Sequence, residues 1–319
     1  MDRKINRMNL FLWIGIIILV IMYTISYSKE GNSSSFSSRK SVSLSLVDPD
    51  AACRLDRIEF SGSGGEFFLS FEEGGFWRVY ADGGYFIPAD TEKVGAFAAE
   101  LSVRRDVFAV AERNSVSPGG FFPEGKTVSV RCFSGGMPAA ELEFGSEDFS
   151  GTSVYFASGE KGPVCETGAS VSLYVFSQAG FWCDPGLVSQ VVSGGMDPSD
   201  VQRISVESAG AGFSALPPDS GFHDAAVGIL GLRHGGFPSS GDAASAFTDE
   251  KPLLRVRLEK GDGLVYELAV FGSEGDASYS VMNRAVPGAG SLSEVTFFTR
   301  ISRWTFASLY GYASQIRSR

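Results

Sequence analysis

Histidine is nearly missing from this chain: His223 and His234 are the only two among 319 residues. A multi-histidine metal site or a histidine-based triad is therefore confined to that pair. His223 precedes Asp224 at the expected start of a helix, where an Asp commonly caps, and the sequence identifies no nucleophile for a His223–Asp224 base to serve. His234 is followed by Gly235-Gly236, a helix-end signal, and a cation there interacts favourably with the helix dipole. Cysteine is also sparse. Cys53, Cys132, Cys165 and Cys183 match no zinc or CxxC spacing. Free thiols and a disulfide both remain open; a single bridge is expected to join two of Cys132, Cys165 and Cys183.

Basic charge is in short supply as well, with 27 Lys and Arg against 37 Asp and Glu and a net charge of −10. Arg3, Lys4, Arg7, Lys29, Arg39 and Lys40 against Asp2 and Glu30 make the first 40 residues +4, leaving −14 on the rest. So acidic a body repels phosphate backbones and anionic headgroups, which excludes nucleic acid as a partner. Nucleotide and calcium motifs are absent too. Gly159-Glu160-Lys161-Gly162-Pro163 lacks the P-loop frame and reads as a turn, and Glu72-Glu73 and Glu147-Asp148 sit beside Gly-rich turns without EF-hand spacing.

One long apolar run stands out. Met8 to Ser28 carries no charged side chain, and about 20 helical residues cross a hydrocarbon core of about 30 Å. Trp13, Tyr23 and Tyr27 suit the two interfaces, and Arg3, Lys4 and Arg7 before the run keep the N-terminus inside. The expected order is a cytoplasmic stub (1–7), a transmembrane helix (8–28) and a Ser-rich tether (29–50), with the body outside the cytoplasm. A cleaved signal peptide ending near Ser26-Tyr27-Ser28 is the competing reading, although the run exceeds the usual signal core. Both readings export the body.

Beyond the tether, short alternating segments separated by Gly-Gly pairs predict many strands and tight turns. Arg57–Phe60, Phe67–Phe71, Phe76–Tyr80 and Tyr85–Ile87 are strand candidates, and Asp90 caps a helix over Thr91–Leu101. Strands at Val107–Val110, Thr127–Phe133, Ala140–Phe144, Val154–Phe156 and Val171–Phe176 complete a first unit. A similar order then returns. Arg203–Val206 resembles Arg57–Phe60, His223–Leu232 takes the helix's place, and Leu254–Leu258 resembles Val128–Cys132. Tyr266–Glu274 follows Glu141–Glu147, Tyr279–Val281 follows Val154–Phe156, and Val295–Thr299 follows Val171–Val175. Glu147 to Glu274, Val171 to Val295 and Trp182 to Trp304 span 127, 124 and 122 residues, a drift that loop changes absorb. The predicted fold class is α+β: an N-terminal transmembrane helix followed by two tandem, similar, mainly antiparallel-sheet units (51–195 and 196–319), each with a packed helix. Trp77, Trp182 and Trp304 are expected in the core rather than as a stacking platform for ligand.

The strand ending Phe76-Trp77-Arg78-Val79, the turn Ile87-Pro88-Ala89-Asp90 and the helix after it resemble the domain of unknown function 4340 family. Leu173–Phe176 and Arg303-Trp304-Thr305-Phe306 add to the likeness, which covers about residues 55 to 315. The second unit departs from it, lacking the Trp strand and the Pro-Ala-Asp turn. That resemblance implies a membrane-tethered protein working beside ABC-type transporter components, without catalytic residues to carry over. The expectation is thus a non-enzymatic accessory or scaffolding protein of the inner membrane, its body periplasmic. Its partners would be an ABC transporter permease or ATPase, or other envelope proteins, with no cofactor, no metal site and no catalytic residue. An extracytoplasmic module holding a small molecule or glycan between the units is the alternative, and a carboxylate-based hydrolase a third.

Overall fold

In the computed structural model, residues 41–62, 64–72, 74–81, 84–112, 120–159, 162–208, 210–238, 251–273, 275–288 and 293–317 are described. The expected transmembrane helix and most of the tether lie outside them. Among the described residues no helix is long and apolar enough to cross a membrane.

Strand β1 (Ser41–Leu44) and a helical turn α1 (Pro49–Ala52) precede β2 (Leu55–Gly62), β3 (Gly65–Glu72), β4 (Phe76–Tyr80) and β5 (Phe86–Pro88). Helix α2 (Thr91–Ser102) follows, then β6 (Arg105–Ala111), β7 (Val128–Ser134), β8 (Met137–Glu147), β9 (Ser153–Ser158) and β10 (Val164–Gly168). Two helical turns, α3 (Ser172–Val175) and α4 (Ala179–Trp182), lead into a connecting segment. The remainder is β11 (Val201–Ser208), β12 (Ala211–Ala215), α5 (Phe222–Leu230), β13 (Leu254–Lys260), β14 (Val265–Phe271), β15 (Ser278–Val286), β16 (Val295–Ser302) and α6 (Arg303–Arg317).

These strands build two sheets. The larger runs β1-β6-β10-β9-β8-β7-β2-β3-β4-β5 and the smaller β12-β11-β13-β14-β15-β16. Within the larger, β3-β2-β7-β8-β9-β10 joins its strands in the same sequence as the whole of the smaller. Register agrees too: Ile58 faces Cys132 as Ile204 faces Leu258, and Phe144 faces Phe156 as Val270 faces Val281. A register shift between Leu55 and Arg57 has its counterpart between Val201 and Arg203. The Gly-Gly reading holds at Gly135-Gly136, where both residues have positive φ (60° and 72°) and join β7 to β8 in a two-residue hairpin; that turn demands residues free of a Cβ clash.

Each sheet buries one face. On the larger, α2 presents Val94, Phe97 and Leu101, and Trp182 is fully buried with Phe60, Phe97 and Phe181 each 5.3 Å from its ring centre. On the smaller, α5 contributes Phe222, Ala225, Ala226 and Ile229, and α6 contributes Leu309 and Ala313. The two helices meet at Gly228, where an added Cβ would come within 2.4 Å of the Tyr312 ring.

Three expectations need correcting. Val171–Phe176 is helical, not extended: Val171 and Val175 are buried while Leu173 is 66% exposed, a helical period that strand alternation cannot produce. The strand there is instead β10, which pairs with β9 as β16 pairs with β15, so Val295–Thr299 matches β10 and not Val171–Val175. The Trp182–Trp304 match fails as well, since Trp304 is 84% exposed on α6 while Trp182 is in the core. Finally, the tether gives way to structure by Ser41, with Val47 buried and its N–H donating to the Leu101 carbonyl at 3.0 Å.

Candidate functional site

The residues that sequence singled out are not brought together. His223 is exposed on the first turn of α5, whose N-cap is Gly221 in the left-handed region (φ 81°) with no side-chain cap, so Asp224 does not cap. His234 is not a cation at a helix end. Its Nδ1 accepts the Gly236 N–H at 2.9 Å, its Nε2 faces the Asp184 carbonyl at 2.6 Å, and burial pushes its pKa below the ordinary imidazole value. The ring is thus held neutral, with Nε2–H donating. Asp148 folds back on its own turn, accepting from Ser150, Thr152 and Ser153, and the Ser150 hydroxyl leads in lowering its pKa. Glu72 is engaged by Arg78 and Tyr80, each at 2.6 Å. All four cysteines are free; burial raises the Cys132 and Cys183 thiols to about 12, which makes both unreactive.

The hydrolase alternative asks for two facing carboxylates. A surface hollow of about 300 Å³ on the larger sheet contains Glu59 and Glu66, but Glu59 is tied to Arg57 at 2.8 Å and to Arg131 at 3.7 Å. Among the described residues no group of three or more His, Cys, Asp or Glu side chains is placed to hold a metal ion.

Where the two sheets meet, the connecting segment is stitched to both. Its Cys183 bridges Ala89 and its Gly186 bridges Arg233, with the Asp184 N–H donating to Pro88 O and the Leu187 N–H to Leu232 O, both at 2.8 Å. The Asp184 carboxylate is buried and accepts from Ser189 Oγ (2.7 Å) and from the N–H groups of Gly186 and Val191. Ser189 N–H then donates to the Tyr266 hydroxyl, which donates to Asn283 Oδ1, whose amide donates to Thr299 Oγ1 at 3.0 Å. Tyr266, Asn283 and Thr299 lie across β14, β15 and β16 on an otherwise apolar face, all fully buried. Burial drives the Tyr266 pKa upward, so its hydroxyl keeps its proton. Sequence reasoning missed this row; its one legible signal was Asn283 sharing a strand face with Val281 and Ala285.

Another hollow, of about 410 Å³, lies at the junction between Phe76, Val191–Gly194 and Lys260, Asp262 and Val295. Among the described residues its one aromatic wall is Phe76, and Lys260 is committed there, donating to Gly194 O at 3.2 Å. A third, of about 600 Å³, opens along α6. Arg303, Phe306, Ala307 and Tyr310 stand at positions i, i+3, i+4 and i+7, one helix face, and Tyr279, Leu253, Pro252 and Lys251 close the other wall. Tyr279 is buried and stacks on Phe306 with ring centres 4.3 Å apart.

No family model, curated protein or solved structure matches this chain. The arrangement itself offers a sealed polar joint without access and an open aromatic cleft; the first holds the fold together and the second can receive a ligand.

Proposed function

We propose that the chain is a membrane-anchored, extracytoplasmic accessory or scaffolding protein, without catalytic activity of its own, that works with an ABC-type transporter or another envelope complex. The observation that carries this reading is the uncharged run Met8–Ser28 behind Arg3, Lys4 and Arg7, which suits a retained span with the body exported. The resemblance to the domain of unknown function 4340 family supports the partner class. The shared strand order and register support a further step, that residues 51–195 and 196–319 are tandem copies of one unit. Expression of the full chain with a C-terminal tag, membrane fractionation and affinity capture tests the proposal. The expected result is an intact N-terminus in the carbonate-resistant membrane fraction, with transporter subunits co-purifying. A chain recovered soluble, or in the membrane but without any transport or envelope component, overturns it.

A second reading, an extracytoplasmic small-molecule binding module, is favoured by one observation: the open cleft of about 600 Å³ along α6, within the size range of small-ligand pockets.

A further inference from the structure

The α6 cleft combines an apolar floor with positive charge. Its floor is apolar, made by Tyr279, Phe306 and Leu253, with Tyr310, 40% exposed, at the edge. Two cations, Lys251 and Arg303, belong to the lining, and among the described residues no Asp or Glu does. Four cations on the smaller sheet's strands are spent on carboxylates instead: Arg203 on Glu259, Arg255 on Glu207 and Glu267, Arg257 on Glu267, and Arg284 on Glu294. Among the described residues neither Lys251 nor Arg303 has an ion-pair partner. The nearby Asp276 carboxylate turns to its own loop, accepting the Ser273 N–H at 2.6 Å. Two uncompensated cations over an aromatic floor are therefore set in a chain of net charge −10.

We propose that this cleft binds an amphipathic organic anion: a flat apolar body lying against Tyr279 and Phe306, with a carboxylate, sulfonate or phosphate head at Lys251 and Arg303. The proposal rests on the binding-module reading and names its ligand class. Charge complementarity supplies the selectivity. The net negative charge of the chain disfavours an anion in general, while the two cations of this cleft offset it locally. A guanidinium adds a two-pronged fit to a planar or tetrahedral oxyanion. Neutral aromatics gain only the apolar contact, and cations are repelled by the rim.

Isothermal titration of the full chain with naphthalenesulfonate and with its neutral analogue naphthalenesulfonamide tests this, subtracting a protein-free blank in the same solvent. Saturable one-to-one binding of the sulfonate is expected, at least about tenfold tighter than the sulfonamide, a difference of about 1.4 kcal/mol. Lys251→Ala with Arg303→Ala should weaken the sulfonate by about tenfold or more and leave the sulfonamide unchanged. Both side chains are exposed, so the pair is expected to preserve the fold, checked by an unchanged thermal midpoint; Lys251→Ala alone, off the helix, provides a second reading. Equal affinity for both probes, or sulfonate binding indifferent to both variants, overturns the ligand class but leaves a binding module standing. Absence of saturable binding by either probe overturns both.

Discussion

The buried faces of the two sheets share a frame and differ in what seals them. Against the larger sheet, Trp182 closes the face with Phe60, Phe97 and Phe181, and its Nε1 has no hydrogen-bond partner among the described residues. Against the smaller, Tyr266, Asn283 and Thr299 form a polar row that the connecting segment caps through Ser189 and Asp184. Strand pairing is thus indifferent to the sealing chemistry, because the ladder uses backbone groups and the face uses side chains. The seal decides which element docks. Non-directional apolar contact accepts a helix, α2 on the larger sheet and α5 and α6 on the apolar part of the smaller, whereas the row of buried donors and acceptors accepts only a segment that satisfies each of them.

The aromatic seal carries the largest expected effect. Trp182→Ala should cost about 3–5 kcal/mol in urea unfolding, the usual range for emptying a large core site. Trp182→Phe should cost much less, since the lost N–H has no acceptor to forfeit. A loss below about 1 kcal/mol for Trp182→Ala means that the cluster does not hold this face together.

At the polar end, Asn283→Leu strands the Tyr266 and Thr299 hydroxyls and should cost about 1–3 kcal/mol. Ser158 holds the matching register place, facing Leu142 as Asn283 faces Leu268, yet it is exposed. Ser158→Leu should therefore change stability by no more than about 0.5 kcal/mol. Equal effects at the two positions erase the distinction between the sheets.

The two helices sharpen it further. Asp90 caps α2 by accepting the Lys93 N–H at 3.2 Å, whereas α5 starts at Gly221 uncapped by a side chain. Asp90→Ala should cost about 1 kcal/mol, while Asp224→Ala should leave thermal unfolding nearly unchanged.

The smallest effect is that of pH on His234 beside the polar joint. Its folded pKa lies below the ordinary value of 6.5, so between the two the unfolded chain binds more protons and stability rises with pH. Full stability is present above about pH 6.5 and falls as pH drops below it, by less than about 1 kcal/mol at pH 6.0. In His234→Gln this part of the slope should vanish from urea midpoints measured between pH 7 and 5.5, although overall stability is lower. A slope that survives the substitution assigns the titration to another group.

Much of the strand inventory was legible because alternation and Gly-Gly turns are local signals. Asp90, Leu55–Gly62 and the hairpin at Gly135-Gly136 follow from capping, period-two patterning and positive φ. Val164–Gly168 was missed because Cys165, Glu166 and Thr167 carry no clear alternation, and Val171–Phe176 was misread because its β-branched residues suit a strand while its neighbours bury it at helical spacing. Of the α6 cleft, the stripe Arg303, Phe306, Ala307 and Tyr310 was readable as a helix face; its opposite wall was not, since Lys251–Leu253 and Tyr279 are distant in sequence.

The acidity of the body, the scarcity of histidine, the uncharged run at Met8–Ser28 and most of the strands are properties of composition or of a few neighbouring residues, and are legible without a fold. Only the tertiary structure decided that β10 rather than Val171–Val175 corresponds to β16, that Trp182 is core and Trp304 surface, that His234 is neutral, and that Lys251 and Arg303 share one cleft. Each of these depends on which distant segments shield a side chain from water or leave its charge unanswered, and no local pattern encodes that.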